Sequence, residues 1–201
     1  MTVVALDLPG FSFGAVRVLG PIALTLDKGE TLALTGPSGV GKSTLLRIIA
    51  GIYPAGGTRR VVGRMAFVFQ EPTLLRWRTA QRNIEIAAKV DPARAAAALA
   101  EVGLEAHADR FPDQLSLGQQ RRLALARAFA CDPDLMLLDE PFVSLDTAAA
   151  DEMMSLFAAL RARRDMATIL VTHAAAEARR LATCSLTLSG HPARISAAPA
   201  V

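Results

Sequence analysis

Short apolar runs recur along the chain. "TLALTG", "MAFVFQ", "LMLLDE" and "TILVTH" are rich in Leu, Val and Ile, too short for buried helices, and separated by longer stretches suited to helices. That alternation predicts a mainly parallel sheet covered by helices, an α/β fold. The N-terminal part reads differently. "VVALDL" and "IALTLD" alternate apolar and polar residues as half-buried strands do, which predicts a small antiparallel sheet. Between Pro72 and Ser116 there is no strong strand signal. Asp91 can cap a helix with Pro92 at its first position and Gly103 just past its end, so this stretch reads as a helical insertion. The tail "GHPARISAAPAV" reads as a loose end.

Composition changes this picture little. In 201 residues, 52% hydrophobic content supports a sizeable core. No apolar run approaches the roughly 18 residues of a membrane-spanning helix, and "MTVVALDLPG" lacks a basic segment before a long apolar one. The expectation is a protein neither secreted nor integral to a membrane. Cys131 and Cys184 have no metal-ligand spacing and lie in apolar surroundings, which suggests reduced thiols filling the core of a cytosolic protein. A formal charge of +3 without clustering does not argue for nucleic acid.

The chemistry lies where the apolar runs stop. "TLALT" leads into "GPSGVGKST", "MAFVF" ends at Gln70, "LMLL" ends at Asp139 and Glu140, and "TILVT" ends at His173. In open α/β sheets ligands sit beyond the carboxyl ends of the strands, so one site is implied. Gly36 to Ser43 fits the phosphate loop GxxxxGK(S/T), with a strand before it and a helix after. Its glycines, Gly36, Gly39 and Gly41, let successive N–H groups turn inward around Ser38 toward phosphate oxygens, and the following helix adds its positive end. Lys42 can then reach the β- and γ-phosphates, Ser43 can ligate Mg²⁺, and Thr44 can make a further phosphate contact. A carboxylate at the end of a neighbouring buried strand suits such a metal, which gives Asp139 its role. Adjacent strand residues point to opposite sides, so Glu140 is free to address a water attacking the γ-phosphate.

With these motifs together, the chain resembles the ATP-binding subunit of an ABC transporter from Phe13 to about Leu188. The phosphate loop, "FVFQEP", "LSLGQQRRLALARA", "LMLLDEP", "SLD" and "VTH" occur in the family's order. The resemblance implies ATP and Mg²⁺ as cofactors. It implies that Gln70 contacts Mg²⁺ and the attacking water, that Glu140 is the catalytic base, that His173 is the switch histidine, that Asp146 lies in the loop meeting a partner subunit, and that Phe13 stacks on adenine, although this phenylalanine could instead be core. It also implies a phosphate-loop ATPase core at residues 1–71 and 119–201, with a small antiparallel subdomain, and a helical subdomain at 72–118 ending in the signature.

That signature, Leu115 to Gln119, is also readable physically. Ser116 at the start of "QQRRLALARAFA" offers a hydroxyl and free N–H groups, an anion site with no anion of its own subunit, and it is an ordinary helix cap as well. In the family the anion is the γ-phosphate held by a second ATP-binding subunit, most simply another copy of this chain, so that Ser116, Gly118 and Gln119 complete a head-to-tail ATP site. Leu117 departs from the family's usual glycine and would be strained if that position needed a positive φ. The short segment between Gly51 and Met65, an end near residue 200 without a regulatory domain, and "FQEPTLLRWRTAQRNI" resemble importer ATPases of the nitrate, sulfonate and taurine type. The partners implied are a membrane-spanning permease subunit and a solute-binding protein, with no nucleic acid; the place implied is the inner face of the cell membrane, peripherally. "PTLLRWRTAQRNI" is the expected docking segment, unless Leu74, Leu75 and Trp77 pack inside the helical part. A soluble ABC ATPase of assembly or repair, and a phosphate-loop kinase with a small-molecule acceptor, remain as alternatives.

Overall fold

The computed structural model describes residues 1–197. By packing, they divide into two compact units, one formed by Met1–Phe67, Asp134–Glu140 and the chain from Asp165 onward, the other by Val68–Pro133 and Pro141–Arg164.

In the first unit the two alternating N-terminal runs form β1 (Thr2–Leu8) and β4 (Ile22–Asp27), which pair antiparallel. β6 (Thr58–Val61) joins the other side of β1, and a small hairpin is made by β2 (Phe11–Phe13) and β3 (Val16–Leu19). The larger sheet contains the four apolar runs as neighbours: β5 (Thr31–Thr35), β9 (Ala167–Val171), β8 (Leu135–Asp139) and β7 (Met65–Val68). β10 (Cys184–Ser189) extends it in parallel beside β5. Leu34 and Asp139 both pair with Val171, so β5, β8 and β9 end at one level. Every residue of β8 and β9 is buried, as strands covered on both faces must be. Leu135 and Leu137 pack into one cluster with Leu45, Leu46, Ile48 and Ile49 of α1 (Lys42–Ile49), which fixes the helix that follows the phosphate loop.

The second unit is helical. It contains α2 (Ala80–Ala88), α3 (Pro92–Glu101), short 3₁₀ turns at Glu105–His107 and Pro112–Gln114, α4 (Leu117–Ala130) and α5 (Thr147–Ala162). Asp91 caps α3 by accepting from Arg94 N, Pro92 stands at its first position, and Gly103 follows its end with φ +68°. α4 is buried along most of its length and packs against α2, α3 and α5; the rings of Phe129 and Phe157 lie 5.9 Å apart.

Three details differ from the sequence reading. The helical unit takes in all of α4 and also α5, well beyond 72–118, because α4 is buried over most of its second half and packs against α2, α3 and α5 together. The tail is ordered as far as described: after α6 (Ala175–Leu181), Arg194–Ala197 forms β11 against β10, and Gly20 N donates to Ala193 O at 2.7 Å. The remaining residues, 198–201, lie outside the described part. Cys184 opens β10 on the exposed side and is no core filler, whereas Cys131 is half-buried.

Candidate functional site

The phosphate loop joins β5 to α1, and its geometry depends on glycine. Gly36 has φ +136°, and a Cβ there would lie 2.3 Å from Leu188 O, so no side chain fits. Gly39 has φ +76°, and a Cβ there would meet nothing within 4 Å, which leaves the space before the loop open. α1 starts at Gly41 with no capping side chain and no acid in its first turn, so its N–H groups stay available to an anion. The buried Lys42 ammonium donates to Gly36 O and Pro37 O, each at 2.9 Å, and lies 3.9 Å from Glu140 Oε1. Ser38 is exposed, and Ser43 and Thr44 are half-buried at the helix start.

Asp139 ends β8 only 3% exposed, and Ser43 Oγ donates to its Oδ1 at 2.7 Å. Burial pushes the Asp139 carboxyl above its ordinary range; the Ser43 hydrogen bond and the Arg47 guanidinium, 3.9 Å from Oδ2, oppose this, while Glu140 adds to it. Arg47 was missed in the sequence, although its spacing of one helical turn from Ser43 puts both on one side of α1. Glu140 does not face away from Asp139 through strand alternation, as expected. It has left the strand, with φ +48° and its N–H donating to Val171 O at 3.0 Å. This left-handed turn is uncommon for a residue with a side chain and re-aims the carboxylate. Its Oε2 lies 3.5 Å from Nδ1 of the exposed His173. Thr172, just before this histidine, donates to Glu177 and accepts from Ala174 N at 3.0 Å, which fixes the turn.

A hydroxyl and a carboxylate side by side are hard oxygen donors of the kind Mg²⁺ prefers. Among the described residues no group of three or more His, Cys, Asp or Glu could hold a metal alone, so an ion here would complete its shell with phosphate and water. The open loop, uncapped helix and Ser43–Asp139 pair therefore fit a magnesium nucleotide. Phe13 is half exposed, with its ring perpendicular to those of Phe11 and Tyr53 at 4.9 and 5.4 Å, so it is surface rather than core.

The other expected residues belong to the helical unit. Gln70 is exposed in the turn after β7. Ser116 caps α4: its Oγ accepts from Gln119 N at 3.2 Å, and Gln119 Oε1 accepts from Ser116 N at 3.0 Å. Leu117 is the first helical residue, without left-handed backbone, so the feared strain is absent; its side chain is 49% exposed. Gly118 carries open space where a Cβ would stand. Asp146 caps α5, accepting from Ala149 N at 2.8 Å. Trp77 is 68% exposed, between exposed Arg76 and Arg78, while Leu74 and Leu75 are half-buried. This loop is clamped by fully buried Asn83, whose Nδ2 donates to the carbonyls of Leu75, Arg78 and Thr79 and whose Oδ1 accepts from Leu75 N at 2.7 Å. Asn83 shares the i, i+3, i+4 stripe of Ala80 and Ile84, the signal that could have revealed it.

Comparison with known proteins bears on the family and the fold. The sequence profile described as ABC transporter matches residues 19–143. The chain is 47% identical over 186 residues to the aliphatic sulfonates import ATP-binding protein SsuB of Mycobacterium sp. (strain MCS), covering 89% of this chain and 76% of that one. It is 44% identical to the protein of the same description from Granulibacter bethesdensis, over 90% and 77% of the two chains. Among solved structures, an ABC transporter in an inward-facing conformation, described as of the metal-chelate type, superposes with a TM-score of 0.84 at 28% identity, over 98% of this chain and 83% of that one. A dimeric ATP-binding cassette in a post-hydrolysis state with ADP and Pi gives 0.81 at 27% identity, over 96% of each.

Proposed function

The chain belongs to the ABC transporter family as an ATP-hydrolysing, ATP-binding subunit, and from that premise we propose that it drives import through a separate membrane-spanning permease, with a sulfonate-type solute as the cargo. A solute-binding protein delivers the cargo, and the subunit works peripherally on the inner face of the membrane as a head-to-tail dimer of two copies. No helix of the described residues is long and apolar enough to cross a membrane.

MgATP, when bound, supplies the phosphoanhydride bond and a cation that offsets the charge developing on the phosphates. The loop N–H groups and Lys42 bind the phosphates, with Gly36, Ser38, Gly39, Gly41 and Thr44 shaping that cradle. Ser43 and Asp139 hold the metal, with Gln70 as a further contact. Glu140 accepts the proton of the attacking water, and His173, at its other carboxylate oxygen, steadies it. Phe13 stacks on the base. Ser116, Gly118 and Gln119 meet the γ-phosphate of the partner copy, and Asp146 lies in the loop facing that copy.

The observation that carries the transport reading is the exposed Trp77, flanked by arginines on a loop clamped by Asn83. Aromatic and arginine anchors on a rigid support suit a protein interface, and the basic residues suit an anionic leaflet. Purifying the tagged chain from its native membrane should bring down one permease. Trp77→Ala should lose that permease and solute uptake while the isolated chain stays folded and hydrolyses ATP. Undiminished capture and uptake by Trp77→Ala would place docking elsewhere.

A further inference from the structure

Immediately after Gln70 the chain makes a turn that α4 holds by one side chain. Arg127 Nη1 donates to Thr73 O at 2.9 Å, and its Nη2 donates to Pro72 O at 3.1 Å and to Thr73 Oγ1 at 3.2 Å. Thr73 has φ +43°, a conformation that a β-branched residue keeps only when its surroundings enforce it. Arg127 faces no carboxylate in any ion pair among the described residues, and it is carried on a stretch of α4 that is otherwise buried and apolar. A guanidinium so placed has lost much of its water, and its fork of donors is answered by two successive carbonyls and a hydroxyl. The segment it grips begins two residues after Gln70.

We propose that Arg127 is a positioning residue for Gln70: by locking Pro72 and Thr73, it fixes where the glutamine side chain is presented. The same helix starts at Ser116, about 16 Å along its axis at 1.5 Å per residue, so the glutamine turn and the serine-led helix start are tied to one rigid rod. This inference rests on the reading that Gln70 serves the bound magnesium nucleotide.

The test uses the full purified chain and the variants Arg127→Lys, Arg127→Ala, Thr73→Val, Gln70→Ala, and Arg127→Lys with Gln70→Ala. Without nucleotide, amide exchange in residues 69–75 should speed up about tenfold or more in Arg127→Lys, while β8 and β9 keep their protection. With MgATP, kcat should fall about 10- to 100-fold with KM for ATP nearly unchanged, the mark of a displaced group rather than a lost binding contact. Thr73→Val, which removes one acceptor at an exposed position, should fall between Arg127→Lys and the unaltered chain, so the proposal stays testable if Arg127→Ala does not fold. The double variant should be no slower than Gln70→Ala alone. Additive losses in the double variant, or unchanged exchange in 69–75, would overturn the positioning role. If Gln70→Ala turns over at the rate of the unaltered chain, the reading of Gln70 has failed and the proposal falls with it.

Discussion

Two groups of charge in this chain are built on opposite terms. In the helical unit Arg94 and Arg164 are cross-paired with Glu101 and Asp132: Arg94 lies 3.2 Å from Glu101 and 3.4 Å from Asp132, and Arg164 lies 2.6 and 3.9 Å from the same two. Arg164 also sits 4.9 Å from the centre of the Phe129 ring. Each charge has opposite neighbours and the group is neutral, so it joins α3 to the ends of α4 and α5 and wants nothing further. In the sheet unit Asp139 is buried deeply enough for its carboxyl to be pushed up despite Ser43 and Arg47. Glu140 is aimed at Lys42 and His173 across 3.9 and 3.5 Å, distances that attract without forming a proper hydrogen bond. A closed group of charges stabilises a fold; an open one, held in strained backbone, is kept for something that binds.

The largest effect should come from the open group. Glu140→Gln keeps the shape and removes the proton acceptor, so ATP should still bind while turnover falls by a factor of roughly 10² to 10⁴. Phosphate release and nucleotide binding, measured on the same preparation, separate the two. A variant that turns over normally would mean that the carboxylate at φ +48° is a turn residue only. The closed group should respond in stability instead. Arg164→Met leaves Glu101 and Asp132 with one arginine between them and should cost about 1–3 kcal/mol, less than a fully buried pair because the site is partly wet. Thermal unfolding would show it as a lower midpoint, with ATP turnover at low temperature nearly unchanged.

How far the sequence discloses this contrast depends on how local each feature is. The strand–loop–helix around Lys42 and Ser43 is contiguous, so composition and spacing are enough. Asp139 and Glu140 announce themselves as acids after four buried apolar residues. The aim of Glu140, however, depends on its N–H being captured by Val171, a residue 31 positions later, and strand alternation alone gives the wrong picture. The closed group draws its members from positions 94, 101, 132 and 164, far apart in sequence, and nothing short of the fold brings them together. Arg127 and Asn83 look like ordinary helix polarity until their buried, apolar neighbours are counted. β11 was hidden for the same reason: "RISA" is short, and only its pairing with β10 makes it a strand.

A finer test of the comparison concerns Asp139 in the chain without nucleotide. A carboxyl whose pKa is raised in the folded state binds more protons folded than unfolded as pH rises from the ordinary carboxylate range to the raised value. Its contribution to stability therefore falls across that window and stays low above it. Asp139→Asn keeps an acceptor for Ser43, removes the buried charge and should flatten this fall. At neutral pH the nucleotide-free variant should gain about 1 kcal/mol, or roughly 2–4 °C in midpoint for a chain of this size, while turnover with MgATP is lost. Loss of stability of the kind expected for Arg164→Met would instead class Asp139 with the closed group.

The smallest expected effect concerns a charge that fits neither group. Arg121, on α4, is 7% exposed, and its Nε and Nη1 have no hydrogen-bond partner among the described residues. Burial lowers its pKa, yet a guanidinium remains charged at any physiological pH. It lines a cavity of about 10 Å³ with Phe69, Pro72, Leu125, Phe142 and Met153, room for about one water. Arg121 thus carries the desolvation cost of the open group without a facing acid or a phosphate loop. Arg121→Met offers similar length without the charge, beside a thioether and two rings that can pack against it. Its midpoint should rise by a degree or two, roughly 0.5 kcal/mol, the modest gain seen when an imperfectly paired buried charge gives way to an apolar side chain. A clear fall in midpoint would mean that a bound water or a mobile acceptor satisfies Arg121, and that the group is closed after all.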